Sequence, residues 1–229
     1  MFDRIAGRYD LLNRIISFRL DRWWRHQVIQ MVLTQVEPRI LDIGTGTGDL
    51  VFAAAKAVQG NGQFIGLDFS FEMLRLARAK HAKFSRDARA GFVMGSAMIA
   101  PFKKNTFDGA MSAFVLRNVS DLTLLFAEAH RVLKPGGQLV SLDMFPPSAT
   151  WFSALYSVYF HCLMPRIGAL LARDRDAYRY LSESVRQFHP PERVAVMIQD
   201  AGFEDVTVRK FLSGAVCMHI ARKPAAARA

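Results

Sequence analysis

The stretch Arg39-Ile-Leu-Asp-Ile-Gly-Thr-Gly-Thr-Gly-Asp49 limits what this chain can fold into more than any other part of it. Ile40, Leu41 and Ile43 read as a buried strand, the glycines as a turn, and a helix is expected from about Asp49. Glycine at 44, 46 and 48 removes Cβ atoms where a backbone passes close to a ligand or turns with φ > 0. The first turn of the following helix offers unpaired N–H groups, and Asp49 suits its positive end. Such a loop, at the C-terminal edge of a parallel sheet, is built to hold a small ligand.

Spacing narrows the ligand. A dinucleotide loop needs two residues between its second and third glycines, so that the helix N-terminus meets a pyrophosphate. Here there is one, and Asp42 precedes the run. A second strand, Gln63-Phe-Ile-Gly-Leu-Asp68, ends on an acid where a ribose diol would be gripped. A strand-end carboxylate suits either cofactor, since both carry a ribose. The glycine spacing and the acid before it favour S-adenosylmethionine, whose sulfonium has no phosphate to satisfy. A tight turn with no ligand is the bland alternative, and the two-part pattern weighs against it.

The rest of the chain alternates. Residues 1–35 read as a helical extension with Trp23, Val28, Met31 and Val32 on the packing face. Ser70 can cap a helix running to about Phe84, with Met73, Leu74 and Ala77 inward. Gly91–Met94 and Phe107–Phe114 read as strands, and Asp121–Leu133 as a helix with Leu122, Leu125, Ala129 and Val132 inward. Lys134-Pro-Gly-Gly137 reads as a turn feeding a strand over 138–143. Glu192–Ala201 is a helix stopped by Gly202, and Val206–Phe211 and Val216–Ala221 are two strands forming an antiparallel pair. This order predicts an α/β fold with a doubly wound, Rossmann-like sheet. One domain over residues 1–223 is expected, followed by a short disordered tail, 224–229.

An insertion over about 144–190 breaks the alternation. Residues 148–164 carry no Asp, Glu, Lys or Arg for 17 residues, too short a run to span a membrane. Trp151, Leu155 and Tyr159 share one face and Phe152, Tyr156 and Phe160 the next. That pattern fits a core helix or a helical lid over an apolar substrate.

Charge and cysteine content bound the setting. Thirty Lys and Arg against twenty Asp and Glu give +10, which suits nucleic acid, an anionic membrane surface, or mere solubility. The basic residues are scattered through helices rather than gathered in a run, which argues against nucleic acid. Cys162 and Cys217 stand alone, so a reducing compartment and no disulfide framework are expected. No apolar leader follows Met1, and the cytoplasm is the expected location, with peripheral contact on the inner face of the membrane. None of the six histidines has a metal-spaced partner, so no metal is expected. His189 is a candidate for the substrate mouth. A homo-oligomer is compatible with the sequence.

Four segments then point to a family. Phe2-Asp-x-Ile-Ala-x-Arg-Tyr-Asp-Leu-Leu-Asn13, Leu116-Arg-Asn-Val119, Arg131-Val-Leu-Lys-Pro-Gly-Gly137 and Tyr180-Leu-x-Glu-Ser184 together resemble the UbiE-type C-methyltransferases of menaquinone and ubiquinone biosynthesis. The resemblance runs from residue 2 to about 223. The glycine loop and the Lys-Pro-Gly-Gly turn are common to many class I methyltransferases; the other three segments are far more specific.

The resemblance implies a class I methyltransferase fold with N-terminal helices and a lid insertion. It implies cofactor contacts from Asp42, Gly44, Gly46, Thr47, Gly48, Asp68, Ser96, Ala97 and Ala113, with Asp68 on the ribose and Ser96 on the adenine edge. The family usually has Asn or Asp at 96, a serine in some members at 113, a glycine at 115 and Leu-Glu-Phe at 142–144. This chain has Ser96, Ala113, Val115 and Leu142-Asp143-Met144 there. The implied substrate is a prenylated demethylquinol, a naphthoquinol or a benzoquinol. Arg117 would stabilise its phenolate or hold the water that takes its proton, Asn118 would hydrogen-bond the second ring oxygen, and Tyr9 would close the pocket. The bland alternative for Arg117 is a salt bridge, with Asp121 as the nearest partner. The rival functions are an N- or O-methyltransferase of phospholipids or other small molecules, and an RNA methyltransferase or other nucleic-acid binder. The Leu116–Val119 segment argues against N-methylation, which needs no phenol-activating arginine.

Overall fold

The structure, a computed structural model, describes residues 17, 20–59, 61–84, 89–146 and 175–225. Seven strands form one sheet: β1 Arg39–Ile43, β2 Gln63–Asp68, β3 Ala90–Met94, β4 Phe107–Ala113, β5 Leu133–Met144, β6 Glu204–Phe211 and β7 Val216–Arg222. Their order across the sheet is β3-β2-β1-β4-β5-β7-β6. The first five run parallel, and β7 closes onto β5 antiparallel, with β6 antiparallel to it at the edge. The described helices are α1 Leu20–Val32, α2 Asp49–Ala57, α3 Phe71–Phe84, α4 Leu122–Val132, α5 Arg175–Arg186 and α6 Pro191–Asp200. This is the Rossmann-like class I methyltransferase architecture, and the order reverses between β1 and β4, where such sheets place a ligand.

The strand period of two sorts the core into two faces. Leu41 and Ile43 of β1 point to the side of α4 and α6, where they meet Leu125, Phe126, Val194 and Ile198. Ile40 points to the other side, among Trp24, Val28 and Val32 of α1 and Leu50, Val51 and Ala54 of α2. Each large apolar side chain so buried contributes about 1.5–3 kcal/mol relative to exposure. Covering both faces is what lets parallel strands be apolar throughout.

Most element ends fall within a residue or two of expectation, and the caps explain why. Ser70 Oγ accepts the Met73 N–H at 3.2 Å, and Asp121 accepts the Leu124 N–H at 3.0 Å, starting α3 and α4. Two details differ. In α1 it is Trp24, not Trp23, that is buried; Trp23 lies half exposed, edge-on to Phe211 at 5.3 Å. Lys134–Gly137 does not separate helix from strand. It is an irregularity inside β5, where the register jumps from Phe107↔Leu133 to Gly109↔Gln138. Residues 147–174, which include most of the expected lid, and residues 1–16 lie outside the described residues.

Candidate functional site

The end of β2 builds the glycine loop from outside it. Leu67 carbonyl accepts the N–H groups of Gly44 and Thr45 at 2.8 and 3.0 Å. Asp68 then accepts the Gly46 N–H at 2.7 Å on one carboxylate oxygen and the Ser70 N–H at 2.9 Å on the other. A carboxylate has about four lone-pair sites, and these two bonds fix the direction of both Asp68 oxygens beside the loop. Gly46 has φ +55, and a Cβ built there would meet nothing within 4 Å. A side chain at 46 would stand in open space beside Asp68.

That space is a cavity of about 380 Å³, within the range of about 300–1,000 Å³ usual for small-molecule and cofactor sites. It runs from Gly44, Gly46 and Asp68 past Ser96 and Ala97 to Phe114, Val115, Asn118 and Ser120. Phe69 lines it while remaining 67% exposed. The loop end, the strand-end acid and the Ser96–Ala97 pair thus converge with Asn118 on one concave surface. The residues fit S-adenosylmethionine: there is room over Gly46 for a ligand backbone, an acceptor for a diol, and an apolar wall for a base.

Other expected contacts are not part of that wall. Thr47 is buried, and its hydroxyl accepts a 2.8 Å hydrogen bond from Lys80, which also pairs with Asp49 at 2.8 Å. Arg25 holds the same Asp49 carboxylate at 3.2 Å. Thr47, Gly48 and Asp49 are therefore fastened to α1 and α3 behind the loop. Asp42 is buried and accepts the Thr45 hydroxyl at 2.6 Å; burial pushes its carboxyl up to about 7, against the pull of that bond. Ala113 ends β4 just before the wall begins at Phe114. Tyr9 lies outside the described residues.

Val115 closes against the glycine loop. A Cβ on Gly44, where φ is +69, would come within 2.5 Å of a Val115 methyl. The branched side chain takes the space that glycine vacates, so the loop and the Leu116–Asn118 turn press together along the cavity.

The segment after β4 is unusual. Phe114 has φ +64, a conformation that bulky residues rarely accept and that clusters at functional sites. Arg117 follows in a 3-10 turn, Leu116–Asn118. Its guanidinium pairs with Asp143 of β5 rather than with Asp121, which is occupied at the α4 N-cap. Arg117 is only 7% exposed and Asp143 is fully buried. The Arg117 N–H also reaches Asp143 at 3.3 Å, while Arg117 Nε is buried and has no hydrogen-bond partner among the described residues. Arg117 is not among the cavity-lining residues; Asn118 is.

Sequence reasoning did not single out Asp143 or Tyr180 as site residues. Tyr180 on α5 donates its hydroxyl to Asn118 Oδ1 at 3.2 Å. Its place in a family-specific segment was the available signal. His189 is exposed and beside Phe188. No group of three or more His, Cys, Asp or Glu able to hold a metal occurs among the described residues.

Comparison with known proteins bears on this cavity. The ubiE/COQ5 methyltransferase family matches residues 1–223. The demethylmenaquinone methyltransferase of Geobacillus kaustophilus strain HTA426 is 39% identical over 223 residues, covering 97% of this chain and 95% of that protein. Among solved structures, an SAM-dependent methyltransferase from Aquifex aeolicus superposes with a TM-score of 0.64 at 20% identity, covering 93% of this chain and 97% of that one. The Haemonchus contortus phosphoethanolamine N-methyltransferase 2, in complex with S-adenosyl-L-methionine, gives 0.66 at 19% identity over 88% of this chain and 52% of that one.

Proposed function

The chain belongs to the ubiE/COQ5 methyltransferase family, and on that premise we propose that it methylates a ring carbon of a prenylated demethylquinol in the cavity beside its glycine loop. It is an S-adenosylmethionine-dependent methyltransferase. The name of its relatives favours a demethylmenaquinol nucleus over a benzoquinol. The observation that carries the proposal is the meeting of Gly46, Asp68 and Ser96 with Asn118 on one wall. It supports a reading in which a nucleoside-holding half faces a half that can address an aromatic oxygen.

When bound, the cofactor supplies an electrophilic methyl and its own leaving group. The protein's task is then to aim a carbon nucleophile and raise its electron density. Asp68 accepts from the ribose and fixes Gly46, while Ser96 offers one hydroxyl to the adenine edge. Asn118 hydrogen-bonds a ring oxygen of the quinol. A guanidinium is a poor general base, so Arg117 is given no proton to take. Its pairing with Asp143 holds the Leu116–Asn118 turn and so sets where Asn118 meets the cavity. With the cofactor bound, the methyl would leave its sulfur for the ring carbon, and the proton that this carbon loses would pass to water.

The substrate's tail lives in a bilayer. No helix among the described residues is long and apolar enough to cross a membrane. Peripheral docking would rest on the +10 charge and on residues 148–172 serving as a lid for the isoprenoid tail, since Trp151, Tyr156 and Tyr159 are residue types that settle at a lipid interface and Arg166, Arg173 and Arg175 are types that meet headgroups. Basic residues near an anionic leaflet contribute about 1 kcal/mol each.

The test sets demethylmenaquinol, a prenylated benzoquinol, a phospholipid and RNA side by side as methyl acceptors with labelled cofactor. Transfer to a quinol ring carbon is expected. Transfer to phospholipid or RNA with none to either quinol would overturn the reading. Vesicle co-sedimentation tests the docking: it should need anionic lipid and weaken with salt, and should fall in Trp151→Ser/Tyr159→Ser.

A further inference from the structure

Asn118 is the one polar side chain of the Leu116–Asn118 turn that lines the cavity, and its carboxamide is held at both ends. Nδ2 donates to the Phe114 carbonyl at 3.2 Å, and Oδ1 accepts from the Tyr180 hydroxyl at 3.2 Å. An amide can be fitted either way round, so the partners decide its direction. Phe114 can only accept at its carbonyl. The reversed amide would set Oδ1 against that oxygen, lone pair to lone pair, and would turn an N–H toward the Tyr180 hydroxyl.

The backbone makes Phe114 a firm reference point. Its φ of +64 is costly for a phenylalanine and is kept by its surroundings. Its N–H donates to Leu142 carbonyl at 2.8 Å, and its ring meets Trp24 edge-on at 6.3 Å. The carbonyl that receives Asn118 Nδ2 therefore cannot swing away. Tyr180 acts from the opposite side and from a different part of the chain, 62 residues on.

We infer that Tyr180 is a positioning residue, which together with the Phe114 carbonyl locks Asn118 so that the group it offers the substrate is an N–H donor. An Asn amide has two N–H donors and two lone pairs on oxygen. Phe114 takes one donor and Tyr180 one lone pair, and no described residue takes the second Nδ2 N–H, on a side chain that lines the cavity. A donor there favours a ring oxygen that has lost its proton over one that has kept it, which is the direction that makes the ring carbon nucleophilic. The assignment rests on the proposed reading that a quinol enters this cavity. It adds the polarity of the contact and the residue that sets it.

The experiment is a double-mutant cycle on Tyr180→Phe and Asn118→Ala, with a demethylmenaquinol as acceptor. Tyr180→Phe keeps the ring and its packing and removes only the hydroxyl. It should lower kcat about tenfold, the loss of one hydrogen bond, and leave cofactor affinity within about twofold. In the Asn118→Ala background the same change should cost less than about twofold, since Tyr180 acts through Asn118. Turnover of Tyr180→Phe equal to wild type, or an undiminished tenfold loss in the Asn118→Ala background, overturns the inference.

A readout without turnover separates this from the functional reading. The side-chain amide signal of Asn118 in labelled protein, assigned by its absence in Asn118→Ala, should shift in Tyr180→Phe. An unmoved signal overturns the clamp. A shifted signal in a protein that methylates no quinol supports the clamp and sinks the substrate assignment.

Discussion

Replacing Asp42 by Asn should stabilise the protein, by an amount that grows with pH. Asp42 is 1% exposed at the foot of the glycine loop and accepts the Thr45 hydroxyl at 2.6 Å. Burial pushes its carboxyl from an ordinary 3.8 up to about 7; the Thr45 bond and Arg25 oppose this, while Asp68 and Asp49 add to it. A raised carboxyl means the folded chain still holds a proton that the unfolded chain has released. Stability therefore falls as pH rises from about 4 to about 7, and the loss is complete above the folded value. About three pH units at 1.36 kcal/mol each is about 4 kcal/mol. Asn keeps the shape and the acceptor for Thr45 without the charge, but its amide N–H groups lose water, offsetting about 1–3 kcal/mol. The net gain at pH 8 should be roughly 1–3 kcal/mol. Urea unfolding of both proteins at pH 5, 6, 7 and 8 measures it. The difference between them is the quantity to follow, because burial lowers both His130 and His219, which lose stability as pH falls below about 6.5 in either protein. That difference should widen by up to about 1.4 kcal/mol per pH unit between 5 and 7, then level off. A difference that stays flat across the series would falsify the claim that Asp42 folds as the neutral acid.

Asp68→Ala should weaken cofactor binding by one to two orders of magnitude, equivalent to about 1.5–3 kcal/mol; unchanged affinity in calorimetric titration would detach the β2 acid from the site. Because Gly46 and Ser70 also lose their acceptor, amide exchange at both should quicken. Asp143→Ala should cost about 3–5 kcal/mol in urea unfolding by leaving Arg117 buried and unpaired, and a cost under about 1 kcal/mol would mean the pair is not formed. Arg117→Lys should keep cofactor affinity yet lose most turnover, since an ammonium lacks the planar fork; steady-state rates near wild type would reduce Arg117 to a structural role. Gly44→Ala should destabilise by about 1–3 kcal/mol through its contact with Val115 and its positive φ. Adding Val115→Gly should recover the contact part only, and no recovery would place the whole cost in the backbone.

What could be read from sequence was what is local. The strand before the glycines, the Ser70 cap, the helix starting about Asp121 and the acid ending β2 are each specified within a few residues, and they fall where expected. Trp23 and Trp24 are neighbours a hundred degrees apart on a helix, so periodicity alone could pick the wrong one. The partner of Arg117 illustrates the limit more sharply. Asp121 is close in sequence, but an acid before a helix is drawn to the free N–H groups there, and Asp143 arrives instead on the adjacent strand, 26 residues on. Tyr180 reaches Asn118 across 62 residues, a separation that no spacing rule spans. Lys134–Gly137 looked like a turn because proline and glycine punctuate; the sheet absorbed it as a bulge.

The antiparallel return of β7 onto β5 has a consequence for how the protein comes into being. Strand β5 is a twelve-residue strand in the interior of the sheet, and its outer neighbour β7 leaves the ribosome only long after it, from Val216 onward. Until Val216–Arg222 emerges, one whole side of β5 presents unsatisfied N–H and C=O groups beside a buried apolar run, the kind of edge that recruits strands from other chains. The Asp143 carboxylate sits on that strand, so the Arg117 turn is assembled against an unfinished sheet. Translation that stalls or ends before β7 should leave a chain that holds its glycine loop and aggregates through β5.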